Sequence, residues 1–192
     1  MHRGTQGEIA IQNEQQSSNR AEKFYKNQMK DRLNNKMKNL IANQEMVFIA
    51  TSDAQGNCDC SPRFGSKGFV TIINEQTLAY PEYRGNGVFA SLGNILENPH
   101  IGMVFVDFFD STVGLHVNGK AHSYRQDEIP TKYHEALSSH KSNIPIERWV
   151  IIEIDEAYIH CSKHVPKLQK GDKQILWGTD DKKAKSVEFF EE

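Results

Sequence analysis

The hydrophobic positions change period along the chain, and each change marks a different kind of element. The first twenty residues, through Gln15-Gln16-Ser17-Ser18, are polar and carry no apolar period. That predicts a flexible lead over residues 1–20, or a clamp that orders on a partner subunit. From Ala21 onward, Tyr25, Met29, Leu33, Met37 and Leu40-Ile41 recur at the spacing of one helix face. Lys26, Lys30, Arg32, Lys36 and Lys38 fall mostly on the wet side. This predicts an amphipathic docking helix over residues 21–44. Asp31 and the many Asn and Gln residues argue against a helix lying on a membrane.

After Gln44 the period falls to two. Residues 47–51, 58–64, 69–73 and 77–80 read as short strands, separated by turn clusters at 52–57 and at Asn74-Glu75-Gln76. Gly85-Asn86-Gly87 interrupts the run, and residues 88–97 have helical spacing until Asn98-Pro99, where the proline pushes its predecessor out of the helical region. Residues 101–108, 113–123 and 149–160 supply further strands, with a helical pattern at 129–139. The expected fold is mainly β (α+β), with six or seven antiparallel strands closing into a small barrel, because closure removes exposed edges. Its body is residues 45–165. Residues 166–192 form a C-terminal tail with turn and charge clusters at Gly171-Asp172-Lys173 and Asp180-Asp181-Lys182-Lys183.

Composition narrows the partners. A length of 192 residues suits one domain with appendages. The 23 Lys+Arg against 25 Asp+Glu give a net charge of −2, so no phosphate-neutralising surface, and hence no nucleic-acid partner, is expected. The apolar runs are too short for a membrane-crossing helix, so no membrane partner is expected either. Cys58, Cys60 and Cys161 are odd in number and no apolar leader precedes them, which points to a reducing, cytoplasmic setting.

The most suggestive chemistry lies in Tyr80-Pro81-Glu82-Tyr83-Arg84-Gly85-Asn86-Gly87, running into Ser91 and Asn94. A strand ends, a glycine-flanked loop carries an arginine, and a helix begins. Helix N-termini present unpaired N–H groups to phosphate, and an arginine can grip two of its oxygens. Ser91 and Asn94 share one helix face. The plainer reading has Asn86 capping the helix and Arg84 solvated. Ser61-Pro62-Arg63-Phe64-Gly65-Ser66-Lys67-Gly68 is either a second edge for an anion or a surface turn.

His160-Cys161-Ser162-Lys163-His164 follows a strand, so His160 and His164 do not converge on a metal, and His160 and Cys161 point to opposite faces. A ligand contact and a packed strand end both remain open there. His116 and Asn118 share a strand face opposite Leu115 and Val117. Trp149 and Trp177 read as core or interface anchors. No side chain marks itself as an obligatory general base, so none is assigned as catalytic.

Taken in order, Cys60-Ser61-Pro62-Arg63, Gly68-Phe69-Val70, Thr77-Leu78-Ala79-Tyr80-Pro81, Arg84-Gly85-Asn86, Ser91-Leu92-Gly93-Asn94-Ile95, Glu97-Asn98-Pro99 and Gly102-Met103-Val104-Phe105 resemble the pyridoxamine 5'-phosphate oxidase-like, FMN-binding split-barrel family. Within it, the chain is similar to the predicted flavin-nucleotide-binding subgroup, through Gly114–Gly119 and Tyr158–His164 as well. The resemblance implies a six-stranded antiparallel split β-barrel and a homodimer with FMN at the subunit interface. It implies an FMN-dependent oxidoreductase acting on a small organic substrate. Arg63 would lie along the flavin, with Lys67 and Tyr80 in the same region. Arg84, Asn86, Ser91 and Asn94 would hold the phosphate, and His160 and Lys163 would complete a partner's pocket. The chain lacks the paired Arg-Lys before the helix and the C-terminal Arg segment of the B6 oxidases themselves. A non-catalytic flavin-nucleotide binder or sensor, or a haem- or deazaflavin-using relative, stays open.

Overall fold

A computed structural model describes residues 4–140, 144–172 and 175. The helices are α1 (Gln6–Glu14), α2 (Ser18–Asn27), α3 (Asn35–Ala42), α4 (Ala90–Glu97) and α5 (His134–Ser138). The strands are β1 (Met46–Ser52), β2 (Cys58–Phe64), β3 (Thr71–Asn74), β4 (Thr77–Tyr83), β5 (His100–Val106), β6 (Gly114–Tyr124) and β7 (Ile146–His160). They form one antiparallel sheet in the order β2-β1-β5-β6-β7-β4-β3. This is the α+β split-barrel class, with seven strands where the resemblance implies six.

Alternation sets the inside of the sheet. Val47 and Ile49 of β1, Leu78 and Tyr80 of β4, Met103 and Phe105 of β5, Leu115 and Val117 of β6, and Val150 and Ile152 of β7 are all buried in one cluster. Leu33, Met37 and Ile41 enter it from around α3, and Leu92 and Ile95 from α4. Each such fully buried side chain stabilises the fold by roughly 1.5–3 kcal/mol. A second, smaller cluster lies on the outer face of β4 and β7. There Ala79, Trp149 and Ile151 pack under Ile129, Tyr133 and Leu137.

The N-terminal segment departs from expectation in two places. Residues 6–14 are helical rather than a flexible lead. Thr5 and Glu8 make a reciprocal capping box, in which the Glu8 N–H donates to Thr5 Oγ1 (3.2 Å) and the Thr5 N–H to Glu8 Oε2 (2.6 Å). Ile9 and Ile11 nonetheless stay exposed, so no apolar period was there to be seen.

The single helix expected over 21–44 is two, broken at 28–34. β4 pairs with β7 only as far as Glu153. Beyond it, the free edge of β7 is met by Lys30, whose backbone exchanges hydrogen bonds with Ala157 at 2.9 and 2.7 Å. Satisfying an open strand edge outweighs continuing the helix. Asn34 then restarts it, its side chain accepting the Met37 N–H at 3.0 Å.

Of the tail, the Leu168 N–H reaches the Phe108 carbonyl at 2.8 Å. Trp177 and the 180–183 charge cluster lie outside the described residues.

The β6–β7 register shifts between Asn118 and Gly119, and a Cβ at Gly119 would collide with the Glu153 carbonyl. Gly119→Ala is therefore expected to destabilise the fold by about 1–3 kcal/mol, read as a lower urea midpoint. An unchanged midpoint would mean that the backbone there yields freely.

Candidate functional site

Strand β2 turns its polar side inward. Asp59, Ser61 and Arg63 stand opposite Thr51, Ile49 and Val47 of β1, all three of which are buried, while Cys58, Cys60, Pro62 and Phe64 at the alternate positions are exposed. β2 ends the sheet, so among the described residues its second edge is not paired with a strand. Opposite that polar wall stand the end of β4, the loop 84–89 and the start of α4. Between them is a cavity of about 490 Å³, lined by Asp59, Ser61, Arg63, Glu82, Arg84, Asn86 and Ser91 together with apolar neighbours such as Phe64 and Phe89. Its volume lies in the range of small-molecule and cofactor sites.

An ion pair crosses the seam of the barrel. Arg63 donates from Nε to Glu82 Oε2 (3.0 Å), and from Nη1 to Ser61 Oγ (2.7 Å) and the Pro62 carbonyl (3.1 Å). The two side chains are only 16% and 14% exposed. Burial pushes the Glu82 carboxyl above its ordinary range, more than Arg63 pulls it down. Tyr80 lies behind, wholly buried, 6.0 Å from ring centre to the Arg63 guanidinium carbon. Burial raises its phenol, which stays neutral, and its hydroxyl has no hydrogen-bond partner among the described residues.

On the other wall, the buried Ser91 donates to Asp59 Oδ2 at 3.0 Å. Among the described residues no side chain caps α4: its N-cap is Phe89, held in the left-handed region at φ 55°. First-turn N–H groups are thus left without a side-chain acceptor beside the cavity. Asn86 is not the cap; its Oδ1 accepts the Val88 N–H at 3.0 Å, shaping the loop two residues earlier.

Of the residues singled out from sequence, Arg63, Arg84, Asn86 and Ser91 therefore converge, and Tyr80 lies behind their wall. Four others do not join them. Lys67 is exposed in the turn after β2, beside a separate depression near Ser139 and His140. Asn94 donates to Thr51 Oγ1 (3.1 Å) and so ties α4 to β1. His160 packs across Gly114 with its Nδ1 3.0 Å from His116 Nε2, and His116 stacks on Tyr158 at 4.7 Å, ring to ring. Lys163 is exposed in the turn beyond β7. Asp59 is a cavity residue that lies in neither candidate segment, while Ser61 and Glu82 lie inside those segments with no role assigned to them. The signal for Asp59 was its alternation with Ser61 and Arg63, polar residues at i, i+2 and i+4 of a strand.

A family model described as pyridoxamine 5'-phosphate oxidase matches residues 33–161, more than half of the chain. The chain belongs to this FMN-binding split-barrel family. No curated protein matches it in sequence.

The family's fold recurs in similar solved structures. A point variant of HupZ from Group A Streptococcus is 23% identical, with a TM-score of 0.53, and the match covers 66% of this chain and 98% of that one. A second HupZ structure is 24% identical, with a TM-score of 0.51 over 65% and 91% of the two chains. HutZ, described as a haem storage protein of Vibrio cholerae, is 12% identical with a TM-score of 0.46 over 67% and 94%. At these identities the likeness is one of fold. Among the described residues no helix is long and apolar enough to cross a membrane.

Burial, and then the nearby His160, hold the His116 imidazole below its ordinary value of 6.5. A folded-state value below the unfolded one means that the unfolded chain binds the proton more readily. This contribution is therefore whole above pH 6.5 and is lost as pH falls from there through the lower folded-state value. His116→Gln should lose less stability than the native chain between about pH 7.5 and about pH 5.5. Urea midpoints at the two pH values check this, and equal losses would acquit the residue.

Proposed function

We propose that the chain is an FMN-dependent oxidoreductase acting on a small organic substrate, with FMN held in the cavity between β2, the end of β4 and α4. The observation that carries this reading is the uncapped start of α4 opening on the same cavity as Arg63 and Arg84. The residues present fit a phosphate monoester: a helix N-terminus, two guanidinium groups and the Asn86 loop lie together. The orphaned Tyr80 hydroxyl behind the wall adds a polar atom that awaits a partner. Two carboxylates share the cavity, but Glu82 is answered by Arg63 and Asp59 by Ser91.

Bound there, FMN would supply the electron or hydride chemistry. The chain's part is positional. Arg84 and the α4 amides would hold the phosphate, Arg63 would face the body of the ligand, and Phe64 and Phe89 would exclude water. The reading includes a homodimer in which His160 and Lys163, away from this chain's own cavity, serve the second copy's.

A narrower reading, a flavin-nucleotide binder without turnover, is favoured by one observation. Among the described residues no histidine or cysteine lines the cavity, and both of its carboxylates are already hydrogen-bonded. Anaerobic reduction by NADH or NADPH, followed by substrate screening, separates the two, since a binder turns over with no donor. The absorption spectrum of any small molecule released on denaturation distinguishes flavin from haem or deazaflavin.

Arg84→Ala should weaken FMN binding by about ten- to a hundredfold, the worth of a charged hydrogen bond, whereas Lys67→Ala should leave it unchanged. Quenching of flavin fluorescence on titration measures both. Equal affinity for Arg84→Ala and the native protein would remove that residue from the site.

A further inference from the structure

The protein engages only part of the Arg63 guanidinium. Nε donates to Glu82 Oε2, and Nη1 to Ser61 Oγ and the Pro62 carbonyl, while Nη2 has no partner among the described residues. We propose that Glu82 is a positioning residue: with Ser61 it locks the Arg63 guanidinium so that Nη2 donates to the uncharged part of the ligand. The proposal rests on the reading of the cavity as a flavin-nucleotide site. It adds the residue that aims Arg63 and the part of the ligand that Arg63 recognises.

A guanidinium is planar and rigid, so fixing two of its nitrogens fixes the third and the direction of its N–H bonds. The two anchors lie 3.0 Å from Nε and 2.7 Å from Nη1, and they come from different elements. Ser61 belongs to β2 itself, whereas Glu82 reaches over the seam from β4. Tyr80 stands behind, its ring centre 6.0 Å from the guanidinium carbon. The Arg63 side chain is nearly enclosed, and it lines the cavity. A donor held in this way meets its acceptor without the entropy loss of ordering a long side chain.

The pairing also decides what Nη2 can recognise. A carboxylate lies 3.0 Å from the same guanidinium, so a phosphate brought to this spot would meet a negative charge beside the donor. A neutral acceptor, such as a ring carbonyl or ring nitrogen, takes the N–H without that repulsion. The phosphate contacts proposed above fall to Arg84 and the start of α4. The seam is left for the uncharged ring.

The test uses riboflavin, which has the flavin ring and no phosphate, titrated by fluorescence quenching with the full chain. Arg63→Met should weaken its binding by about tenfold, the worth of one hydrogen bond from a charged donor. Glu82→Ala should weaken it by about three- to tenfold, through loss of orientation. The double variant should bind riboflavin as Arg63→Met does, because Glu82 acts only through Arg63. Arg84→Ala should leave riboflavin binding unchanged. Unchanged or tighter binding by a folded Glu82→Ala protein overturns the proposal, and so do losses that add in the double variant.

If a variant does not fold, or riboflavin binds too weakly to titrate, the native chain decides. Heteronuclear NMR of the Arg63 guanidinium, titrated with FMN, should shift the Nη2 signal and leave the Nε–H in its hydrogen-bonded position. A merely structural Glu82 would leave Nη2 unmoved. An unmoved Nη2 signal, or an Nε–H released from Glu82, overturns the positioning role alone, whereas no FMN binding by the native chain removes the flavin reading along with it.

Discussion

A guanidinium on the inner side of an edge strand has to be answered, and the site described above is organised around that requirement. Arg63 stands opposite Val47, on the side of β2 that looks into the barrel, at the end of a sheet with no further strand among the described residues. Glu82 answers it from β4, a strand far from β2 in the hydrogen-bonding order. The seam is therefore closed by charge where backbone pairing stops. A charge-closed seam is polar along its length, and the cavity follows from that: Asp59 and Ser61 complete one wall, and the start of α4 faces it.

Much of the scaffold was legible because burial obeys the strand period. Leu115 and Val117 are buried, while His116 and Asn118 on the opposite face are part-exposed, as alternation requires. The helix after Gly87 and its stop at Asn98-Pro99 were equally plain. Where the reading failed, a long-range contact had overridden a local pattern. The positions from Tyr25 to Ile41 keep helical spacing in the sequence, but nothing local announces that Lys30 must leave the helix to meet Ala157. The Thr5–Glu8 capping box was present in the sequence and went unused because no apolar face accompanied it.

The candidate site was half legible. Arg84, Asn86 and Ser91 follow from the order strand, glycine loop, helix. Asn94 shares a helix face with Ser91 and Lys67 sits in the second candidate cluster, yet Lys67 stays in solvent and Asn94 is occupied by Thr51. Glu82 was invisible as a functional group because its meaning depends on which side of β2 carries Arg63, and that is set by register, not composition. Tyr80 shows the converse: a residue that reads as a ligand contact lies in the core with an unanswered hydroxyl.

The backbone pairing of Lys30 with Ala157 also shapes how this chain can vary among its kin. The attachment runs through main-chain atoms, so the side chain at position 30 is nearly free to drift under mutation. Adding or removing a single residue between Asn27 and Leu33 would shift α2 against its anchor. Selection on this stretch should therefore act on its length rather than its letters, and relatives should differ there by replacement and seldom by gaps.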